Sequence, residues 1–294
     1  MGKKNVLVTL PVSEAQRAAL AGAYPEGCFT YCTEPCEADV REAEIILGDV
    51  PLRLLKSAPK LQWLQLGSSG ADHCTRPGVL NPGVRLTSAT GAFGLAVSEY
   101  LLAGTLALLK NFNRYFKNQE RREWRPMEDA ATIDVFRMLV VGLGSIGGEY
   151  GRKMKALGSY VVGIRRHPAA KPAWLDEAFD LSALETELPK ADIVAMALPN
   201  TPETVHLMDG KKIGLMKRSA ILLNAGRGSA VVTDDLCRAL REGRIAGACL
   251  DVTDPEPLPP EHPLWHAENV LITPHVSGQT RRKYDGIFRI MIEN

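Results

Sequence analysis

Three charged or titratable residues stand directly after apolar runs in the second half of the chain. Arg227 follows "ILLNAG", Glu256 lies in the proline-rich "DVTDPEPLPPEHPLW" after "GACL", and His275 follows "VLITP". Each alone has an ordinary explanation as a surface arginine, an exposed carboxylate or a loop histidine. Together, at the ends of three predicted strands, they offer a cation, a carboxylate and an imidazole. Those groups suffice to bind an anion and to transfer a proton.

A glycine-rich turn, "VVGLGSIGGEYG", precedes these residues and matches the G-x-G-x-x-G pattern at Gly142, Gly144 and Gly147. It follows an apolar run, opens a helical run and is followed by a second strand, which is the context that dinucleotide binding requires. The first glycine permits a tight turn, the second lets the backbone approach a pyrophosphate, and the third lets the helix pack on the strand. The amides of Ser145 and Ile146 would then point at phosphate oxygens. The alternative is a β–α turn that binds no ligand.

The residues after the second strand indicate which dinucleotide binds. In "GIRRHP", Arg165 and Arg166 stand where an acidic residue would accept hydrogen bonds from an adenosine ribose. Guanidinium groups would instead bind a 2′-phosphate through charge-assisted hydrogen bonds. We therefore expect NADP, with the alternative that one arginine stacks on adenine and leaves NAD usable.

Short β-rich apolar runs alternate with amphipathic helical runs in both halves of the chain, which predicts an α/β fold with two doubly wound parallel sheets. The predicted strands are "NVLVTL", "CFTYC", "AEIILG", "LQWLQLG" and "GVRLTS", then "RMLVVGLG", "YVVGIRR", "ADIVAMALP", "SAILLNAG", "GACLDV" and "NVLITPH". Between the two sets, the pattern predicts a long helix over about 93–113, followed by the polar, irregular "KNQERREWRPMEDAATIDV".

Bulk composition narrows the class of protein. The chain has 294 residues, is 45% hydrophobic and carries a net charge of +1, which suits two domains and disfavours nucleic acid or an anionic membrane as the main partner. No apolar run approaches the roughly 18 residues of a membrane helix. Cys28, Cys32 and Cys36 do not predict a metal site, because "CFTYC" alternates like a strand and Pro35 interrupts a helix. Scattered cysteines without a secretory signal predict a cytoplasmic protein with reduced thiols.

The set of motifs resembles that of the D-isomer-specific 2-hydroxyacid dehydrogenases over nearly the whole chain. The matching pieces occur in the family's order and are "SSGAD" (68–72), "GLGSIG" (142–147), "ALPNTPET" (197–204), "NAGRG" (224–228), "DVTDPEPLPPEHPLW" (251–265) and "TPHVSG" (273–278). The resemblance implies a flavodoxin-like substrate domain over 1–98, joined by the C-terminal helix 281–294, and a Rossmann cofactor domain over 99–280. It also implies a homodimer.

The resemblance assigns roles to the residues that match the family's motifs. Arg227 would hold the substrate's carboxylate, with flanking glycines that let substrate and nicotinamide approach. His275 would exchange a proton with the substrate oxygen, and Glu256 would orient the imidazole and favour its protonated form. The amides near Ser69 and Gly70 would also bind the carboxylate. The resemblance further places at the cofactor Pro199, Thr204, Asn224, Ala225, Asp251 and Gly278, with Asp251 on the nicotinamide carboxamide.

The expected activity is therefore reduction of a small 2-oxo acid with NADPH, and glyoxylate or hydroxypyruvate is the favoured substrate. Formate dehydrogenases resemble the sequence but pair the histidine with glutamine, whereas Glu256 stands here. A carboxylate favours ketone reduction, which needs a proton donor. The alternative from another class is a dinucleotide-sensing protein, similar to the family's transcriptional corepressors, that binds cofactor without turnover.

Overall fold

The computed structural model describes residues 3–169 and 171–294 and divides the chain into two compact units. Unit 1 comprises Met1–Phe93 with Thr280–Asn294, and unit 2 comprises Gly94–Gln279. Each unit has its own parallel β-sheet with helices. The predicted fold class is therefore confirmed.

The strands of both units are short, with three to five residues each. In chain order they are β1 Lys4–Val8, β2 Gly27–Tyr31, β3 Ile45–Leu47, β4 Trp63–Gln65, β5 Arg85–Thr87, β6 Arg137–Val141, β7 Tyr160–Ile164, β8 Glu177–Phe179, β9 Ile193–Met196, β10 Ile221–Asn224, β11 Gly247–Leu250 and β12 Val270–Ile272.

The α-helices alternate with these strands. In chain order they are α1 Glu14–Ala23, α2 Glu37–Glu42, α3 Leu52–Leu55, α4 Gly94–Leu109, α5 Phe112–Arg121, α6 Ser145–Ala156, α7 Leu184–Glu187, α8 Gly210–Leu215, α9 Thr233–Arg241 and α10 Lys283–Glu293. Among the described residues, every helix is too short or too polar to cross a lipid bilayer.

Unit 1 has the strand order β2-β1-β3-β4-β5, which is the flavodoxin-like order. Alternate side chains face two cores because successive strand residues point to opposite faces. Leu7 and Ile46 lie in one core, and Val6 and Ile45 lie in the other, which also contains Ile287 of α10. The C-terminal helix thus helps to cover one face of this sheet.

Unit 2 has the strand order β12-β11-β10-β9-β6-β7-β8, and all neighbouring strands are parallel. The winding reverses between β6 and β9, and sheets of this kind bind ligands at the carboxyl ends of the strands beside that point. The strand β8 was not predicted. It is three half-buried residues at the sheet edge and has no apolar run to mark it.

The prediction of one long helix over about 93–113 is wrong at the C-terminal end. Helix α4 ends at Leu109, and Asn111 adopts a left-handed backbone with φ of 58°, which stops the helix. A second helix, α5, then begins at Phe112 and continues to Arg121, into the first five residues of the segment that was predicted to be irregular. A local Asn conformation therefore divided one helical pattern into two helices.

A charged cluster stabilises the amino ends of the unit 2 strands. The Glu187 carboxylate is 3% exposed and accepts hydrogen bonds from Arg137 at 2.8 Å and Lys190 at 2.6 Å. Burial alone would raise the pKa of Glu187, but the hydrogen bonds and charges of Lys190 and Arg137 outweigh it, and the net pKa is lowered. The folded state therefore stabilises the ionised carboxylate.

Candidate active site

The glycine-rich turn after β6 is shaped by contacts within the protein. Gly142 has φ of 98°, and a Cβ placed there would lie 2.6 Å from the Ala197 carbonyl oxygen. A Cβ on Gly147 would lie only 1.9 Å from the Gly142 carbonyl oxygen. Both positions therefore require glycine, the first for its backbone conformation and the second for the close packing of α6 on β6.

Gly144 differs from these two glycines because it faces open space. It is the N-cap of the 12-residue helix α6, its surface is exposed, and a Cβ placed there would have no described atom within 4 Å. The first amides of α6, which include those of Ser145 and Ile146, belong to the helix end that favours anions. This exposed, glycine-lined helix N-terminus fits a pyrophosphate.

Arg165 and Arg166 follow β7 directly. The backbone amide of Arg165 donates to the Phe179 carbonyl at 2.8 Å, and the side chain of Arg166 is exposed. The pKa of Glu203 is lowered chiefly by a hydrogen bond from Thr201, with a smaller contribution from the charge of Arg166. A carboxylate thus lies near the arginine that we expected to bind a 2′-phosphate.

Arg227 follows β10 and is half-buried. Its backbone is fixed by Asn224, which is 1% exposed, donates from Nδ2 to the Arg227 carbonyl at 2.9 Å and accepts from the Gly226 amide at 3.1 Å. The Arg227 Nη1 atom donates to the Gly226 carbonyl at 2.9 Å. The asparagine predicted at the cofactor therefore also shapes the arginine loop.

The glycines beside Arg227 pack against the protein's own backbone. A Cβ on Gly226 would lie 2.7 Å from the backbone of Leu198, and a Cβ on Gly228 would lie 1.9 Å from the Thr253 carbonyl oxygen. The predicted reason for these glycines was close approach of substrate and nicotinamide. The structure gives a different one, because the loops after β9, β10 and β11 meet at these two positions.

The loop that carries Glu256 is anchored at both ends. The Thr253 hydroxyl donates to the Pro255 carbonyl at 2.9 Å, and the Asp254 amide donates to the Thr233 hydroxyl at 3.3 Å. Farther along, Leu258 is 7% exposed and Leu264 is fully buried. These contacts hold the loop while the Glu256 side chain remains 44% exposed.

His275 and Glu256 form a hydrogen-bonded pair. The His275 Nδ1 atom lies 2.7 Å from Glu256 Oε1, and the imidazole is 48% exposed. Across residues 3–169 and 171–294, no protein group hydrogen-bonds to the other ring nitrogen, Nε2. An imidazole held through Nδ1 by a carboxylate, with Nε2 directed elsewhere, is arranged to exchange a proton at Nε2.

The backbone of His275 is in the left-handed region, with φ of 52°. This conformation is unusual for a residue other than glycine and costs on the order of 1 kcal/mol. Its amide donates to the Asp251 carbonyl at 2.8 Å. The surrounding hydrogen bonds therefore hold a conformation that the residue alone would avoid.

Asp251, predicted to hold the nicotinamide carboxamide, is 1% exposed and is engaged within the protein. Its Oδ1 atom accepts from the Thr273 hydroxyl at 2.7 Å and from the Val276 amide at 2.8 Å, and Oδ2 accepts from the Ser277 amide at 2.9 Å. The contacts of this carboxylate thus organise the histidine loop.

The other residues predicted at the cofactor lie in loops after unit 2 strands. Thr204 is 8% exposed, and its hydroxyl donates to the Pro199 carbonyl at 2.7 Å, so it closes the turn after β9. Ala225 is buried after β10, while Pro199 is exposed and Gly278 is half-buried. All four follow the carboxyl ends of strands.

Ser69 and Gly70 lie in unit 1, in the loop after β4. The Ser69 hydroxyl donates to the Ala89 carbonyl at 3.2 Å, and the Gly70 carbonyl accepts from the Ser68 hydroxyl at 2.9 Å. Both residues are half-buried. The loop is therefore pinned to the segment after β5.

A groove of about 570 Å³ in unit 1 lies at the opposite end of the sheet from Ser69 and Gly70. It is lined by residues such as Lys4, Trp63, Arg85 and Met291. The first three stand at the amino ends of β1, β4 and β5. Parallel sheets bind ligands at the opposite ends of their strands, so this groove is not the candidate site.

Sequence reasoning missed two hydroxyl groups at the site. Thr273 and Tyr100 hydrogen-bond to each other at 2.6 Å, and Thr273 reaches Asp251. Thr273 is the first residue of the histidine motif but had no assigned role, and Tyr100 is 173 positions away in an apolar helix. No spacing in the sequence connects residues that far apart.

Comparison with known proteins adds family evidence to this geometry. Residues 102–277 match the family model described as D-isomer specific 2-hydroxyacid dehydrogenase, NAD binding domain. The chain is 33% identical to a glyoxylate reductase of Thermofilum pendens over 245 residues, which are 80% of this chain and 71% of that protein.

Solved structures of the same family are also similar to this chain. A D-isomer specific 2-hydroxyacid dehydrogenase family protein from Aeromonas salmonicida is 31% identical, with a TM-score of 0.87 over 100% of this chain and 94% of that chain. An NADPH-dependent glyoxylate/hydroxypyruvate reductase from Sinorhizobium meliloti, solved with NADP and sulfate, is 28% identical, with a TM-score of 0.81 over 99% of this chain and 93% of that chain.

Proposed function

Because this chain belongs to the D-isomer specific 2-hydroxyacid dehydrogenase family and is an NAD(P)-dependent oxidoreductase acting on 2-hydroxy acids, we propose that it reduces glyoxylate or hydroxypyruvate with NADPH. The observation that carries the proposal is the 2.7 Å contact between His275 Nδ1 and Glu256 Oε1. Both residues stand at the carboxyl edge of the sheet whose first β–α turn has the dinucleotide pattern.

His275 is the proton donor in this proposal. Glu256 accepts the hydrogen bond from Nδ1, which leaves the Nε2 proton for the substrate's carbonyl oxygen. The chemistry that a bound nicotinamide dinucleotide supplies is hydride transfer to the carbonyl carbon. The alcohol forms when oxygen gains the Nε2 proton, and in the reverse direction neutral imidazole takes that proton back.

Arg227 binds the substrate's carboxylate in this proposal. A guanidinium presents two parallel donors to a carboxylate and stays charged at any working pH, so it suits an anionic substrate better than lysine. The amides of Ser69 and Gly70 in unit 1 contribute further hydrogen bonds to the same carboxylate. Support for this arrangement comes from the family's motifs at these positions.

Arg165 and Arg166 select NADPH in this proposal. Their position directly after β7 corresponds to the ribose end of a Rossmann site. The Sinorhizobium meliloti relative was solved with NADP. The exposed Glu203 carboxylate also interacts with the charge of Arg166.

The test is an assay of a panel of 2-oxo acids with NADPH and NADH, using wild type, His275→Gln and His262→Gln. His262 is the matched control because its Nε2 also faces a carboxylate, that of Asp234 at 3.1 Å, but its Nδ1 already accepts from the Leu264 amide at 3.1 Å. We expect kcat to fall on the order of 10²–10⁴-fold for His275→Gln. The control variant should stay close to wild type.

Cofactor binding without turnover of any 2-oxo acid would overturn the proposal and favour the dinucleotide-sensing alternative. Equal losses in the two histidine variants would show that His275 has no special role. A strong preference for NADH would contradict the assigned role of the arginines.

We further propose that the protein is a cytoplasmic homodimer. All six cysteines are unbridged, which suits a reducing compartment. Trp124 is fully exposed and Phe116 is 58% exposed, so unit 2 presents aromatic surface of the kind that subunit interfaces bury. Light scattering of wild type and Trp124→Glu tests the dimer, and cell fractionation tests the location.

A further inference from the structure

A chain of hydrogen bonds connects helix α4 to the loop that carries His275. The Tyr100 hydroxyl lies 2.6 Å from Thr273 Oγ1 and 3.5 Å from Cys249 Sγ. Thr273 Oγ1 lies 2.7 Å from Asp251 Oδ1. All four residues belong to unit 2, and Cys249 and Asp251 are each 1% exposed.

The direction of these hydrogen bonds follows from the number of protons. A carboxylate only accepts, so the single proton of the Thr273 hydroxyl goes to Asp251. The Thr273 oxygen must then accept from Tyr100, and the Tyr100 oxygen accepts from the Cys249 thiol. Every donor in the chain therefore points toward the Asp251 carboxylate, an arrangement in which successive hydrogen bonds reinforce one another.

The two outer groups keep their protons. Burial raises the pKa of the Tyr100 phenol, and burial raises the pKa of the Cys249 thiol to about 11. Both groups therefore remain donors near neutral pH. The chain does not reverse its direction under ordinary assay conditions.

Asp251 connects this chain to the histidine loop. Its carbonyl oxygen accepts the His275 amide, and its carboxylate accepts the amides of Val276 and Ser277. One residue thus holds three consecutive amides, beginning at the residue whose φ is 52°. These hydrogen bonds restrain the backbone on both sides of the His275 Cα.

Helix α4 is held close to β11 at this place. A Cβ on Gly104 would lie 2.5 Å from Cys249 Sγ, so glycine there permits the approach. Tyr100 lies one turn earlier on the same helix. Its hydroxyl is therefore presented by a packed helix rather than by a mobile loop.

We propose that Tyr100 is a positioning residue for the acid–base histidine: through Thr273 it fixes the Asp251 carboxylate, whose hydrogen bonds to the amides of Val276 and Ser277 restrain the backbone that follows His275 and so support its left-handed conformation. The inference rests on the proposed role of His275. Among the described residues, Tyr100 hydrogen-bonds to neither the imidazole nor Glu256, so it acts through Thr273 and Asp251.

Three substitutions test the chain at successive points. Tyr100→Phe removes only the hydroxyl, and we expect kcat to fall about 2- to 10-fold, the usual range for one lost hydrogen bond. Thr273→Val removes a donor and an acceptor and leaves Asp251 short of a partner, so we expect about a 10- to 100-fold loss. Thr273→Ser retains the hydroxyl and should restore kcat to within about 2-fold of wild type.

Tyr150→Phe is the matched control. The Tyr150 hydroxyl is fully buried and lies 2.8 Å from the Thr105 hydroxyl, which donates to the Leu101 carbonyl at 2.7 Å. It thus forms a second tyrosine–threonine pair, between Tyr150 of α6 and Thr105 of α4, and among the described residues its hydroxyl makes no hydrogen bond to residues 251–277. We expect its loss to lower Tm at least as much as Tyr100→Phe, with kcat unchanged.

The second measurement is amide hydrogen exchange at residues 275–277, which requires no turnover. Tyr100→Phe should speed this exchange several-fold while Tyr150→Phe leaves it unchanged, and the KM for NADPH should stay constant in both. Equal effects of the two tyrosine variants on kcat and on exchange would overturn the inference. If wild type turns over no 2-oxo acid, the proposed function fails, but the exchange comparison still decides whether Tyr100 holds the loop.

Discussion

Gly144 and Gly147 lie three residues apart in the same turn, yet their surroundings predict opposite results for the same substitution. A Cβ on Gly147 would lie 1.9 Å from the Gly142 carbonyl oxygen and 3.1 Å from Val140 Cγ1. A Cβ on Gly144 would have no described atom within 4 Å. Alanine at 147 should therefore damage the fold, and alanine at 144 should damage only cofactor binding.

The loss of stability expected for Gly147→Ala follows from the clash between the added Cβ and the Gly142 carbonyl oxygen. Contacts shorter than 3.0 Å do not occur for real Cβ atoms, so the backbone of Gly142 must shift by about 1 Å. Overpacking of this kind costs about 1–3 kcal/mol, and a backbone obstacle places the cost at the upper end. For a protein of this size, about 3 kcal/mol lowers Tm by roughly 6–12 °C.

Gly144→Ala should leave the free energy of unfolding nearly unchanged. The backbone of Gly144, at φ −72° and ψ −161°, suits alanine. Alanine is a poorer N-cap than glycine, which costs less than about 1 kcal/mol of folding free energy. Alanine also lowers the conformational entropy of the unfolded chain, which stabilises the folded state by about 0.4–1 kcal/mol and offsets that cost. The added methyl would stand over the exposed end of α6, where we propose that the pyrophosphate lies, so we expect Kd for NADPH to rise at least about 10-fold.

Thermal unfolding and isothermal titration with NADPH give both quantities for each variant. Wild-type affinity in Gly144→Ala would refute the placement of the pyrophosphate against this glycine. A wild-type Tm in Gly147→Ala would refute the packing argument. If both variants lose stability equally, the distinction between an open and a packed glycine is wrong.

Further predictions concern the charges of unit 2. Arg227→Lys should raise the KM of the 2-oxo acid about 10- to 100-fold, since lysine cannot form the paired hydrogen bonds; an unchanged KM in steady-state assays would contradict carboxylate binding by Arg227. Glu256→Gln should lower kcat about 5- to 30-fold, because the 2.7 Å contact with His275 is half-exposed and its charge contributes only about 1–2 kcal/mol. The loss in kcat/KM must be equal in both reaction directions, because the overall equilibrium is unchanged. Glu187→Gln should lower the free energy of unfolding at pH 7 by about 2 kcal/mol. Because the folded-state pKa of Glu187 is lowered, this contribution is present above the ordinary value of 4.5 and is lost as pH falls through the folded value, so urea unfolding at pH 7 and below pH 4 should give a large and a small difference.

Much of the fold could be predicted because parallel strands buried on both faces appear as apolar runs. The same signal failed for β8, whose three residues are only half-buried, and for the boundary between α4 and α5, which depends on the backbone of Asn111. Local conformations of single residues leave little trace in an apolar pattern.

The candidate site likewise has residues that the sequence predicted and contacts that it did not predict. Arg227, Glu256 and His275 were recognisable because each belongs to a local motif at a strand end. The packing role of Gly226 and Gly228 was not recognisable from the sequence, because it depends on contacts with loops 28 and 25 residues away, at Leu198 and Thr253. Motifs identify chemistry more readily than they identify the contacts that support it.

At position 275, the residue that would best stabilise the fold differs from the residue that we propose for activity. Glycine would adopt a φ of 52° without steric penalty, whereas every residue with a useful acid or base must be forced into it. Selection for thermal stability alone would therefore favour replacing the residue that we propose as the proton donor. Directed evolution of this protein toward heat resistance should yield inactive variants at position 275 unless each round also selects for turnover.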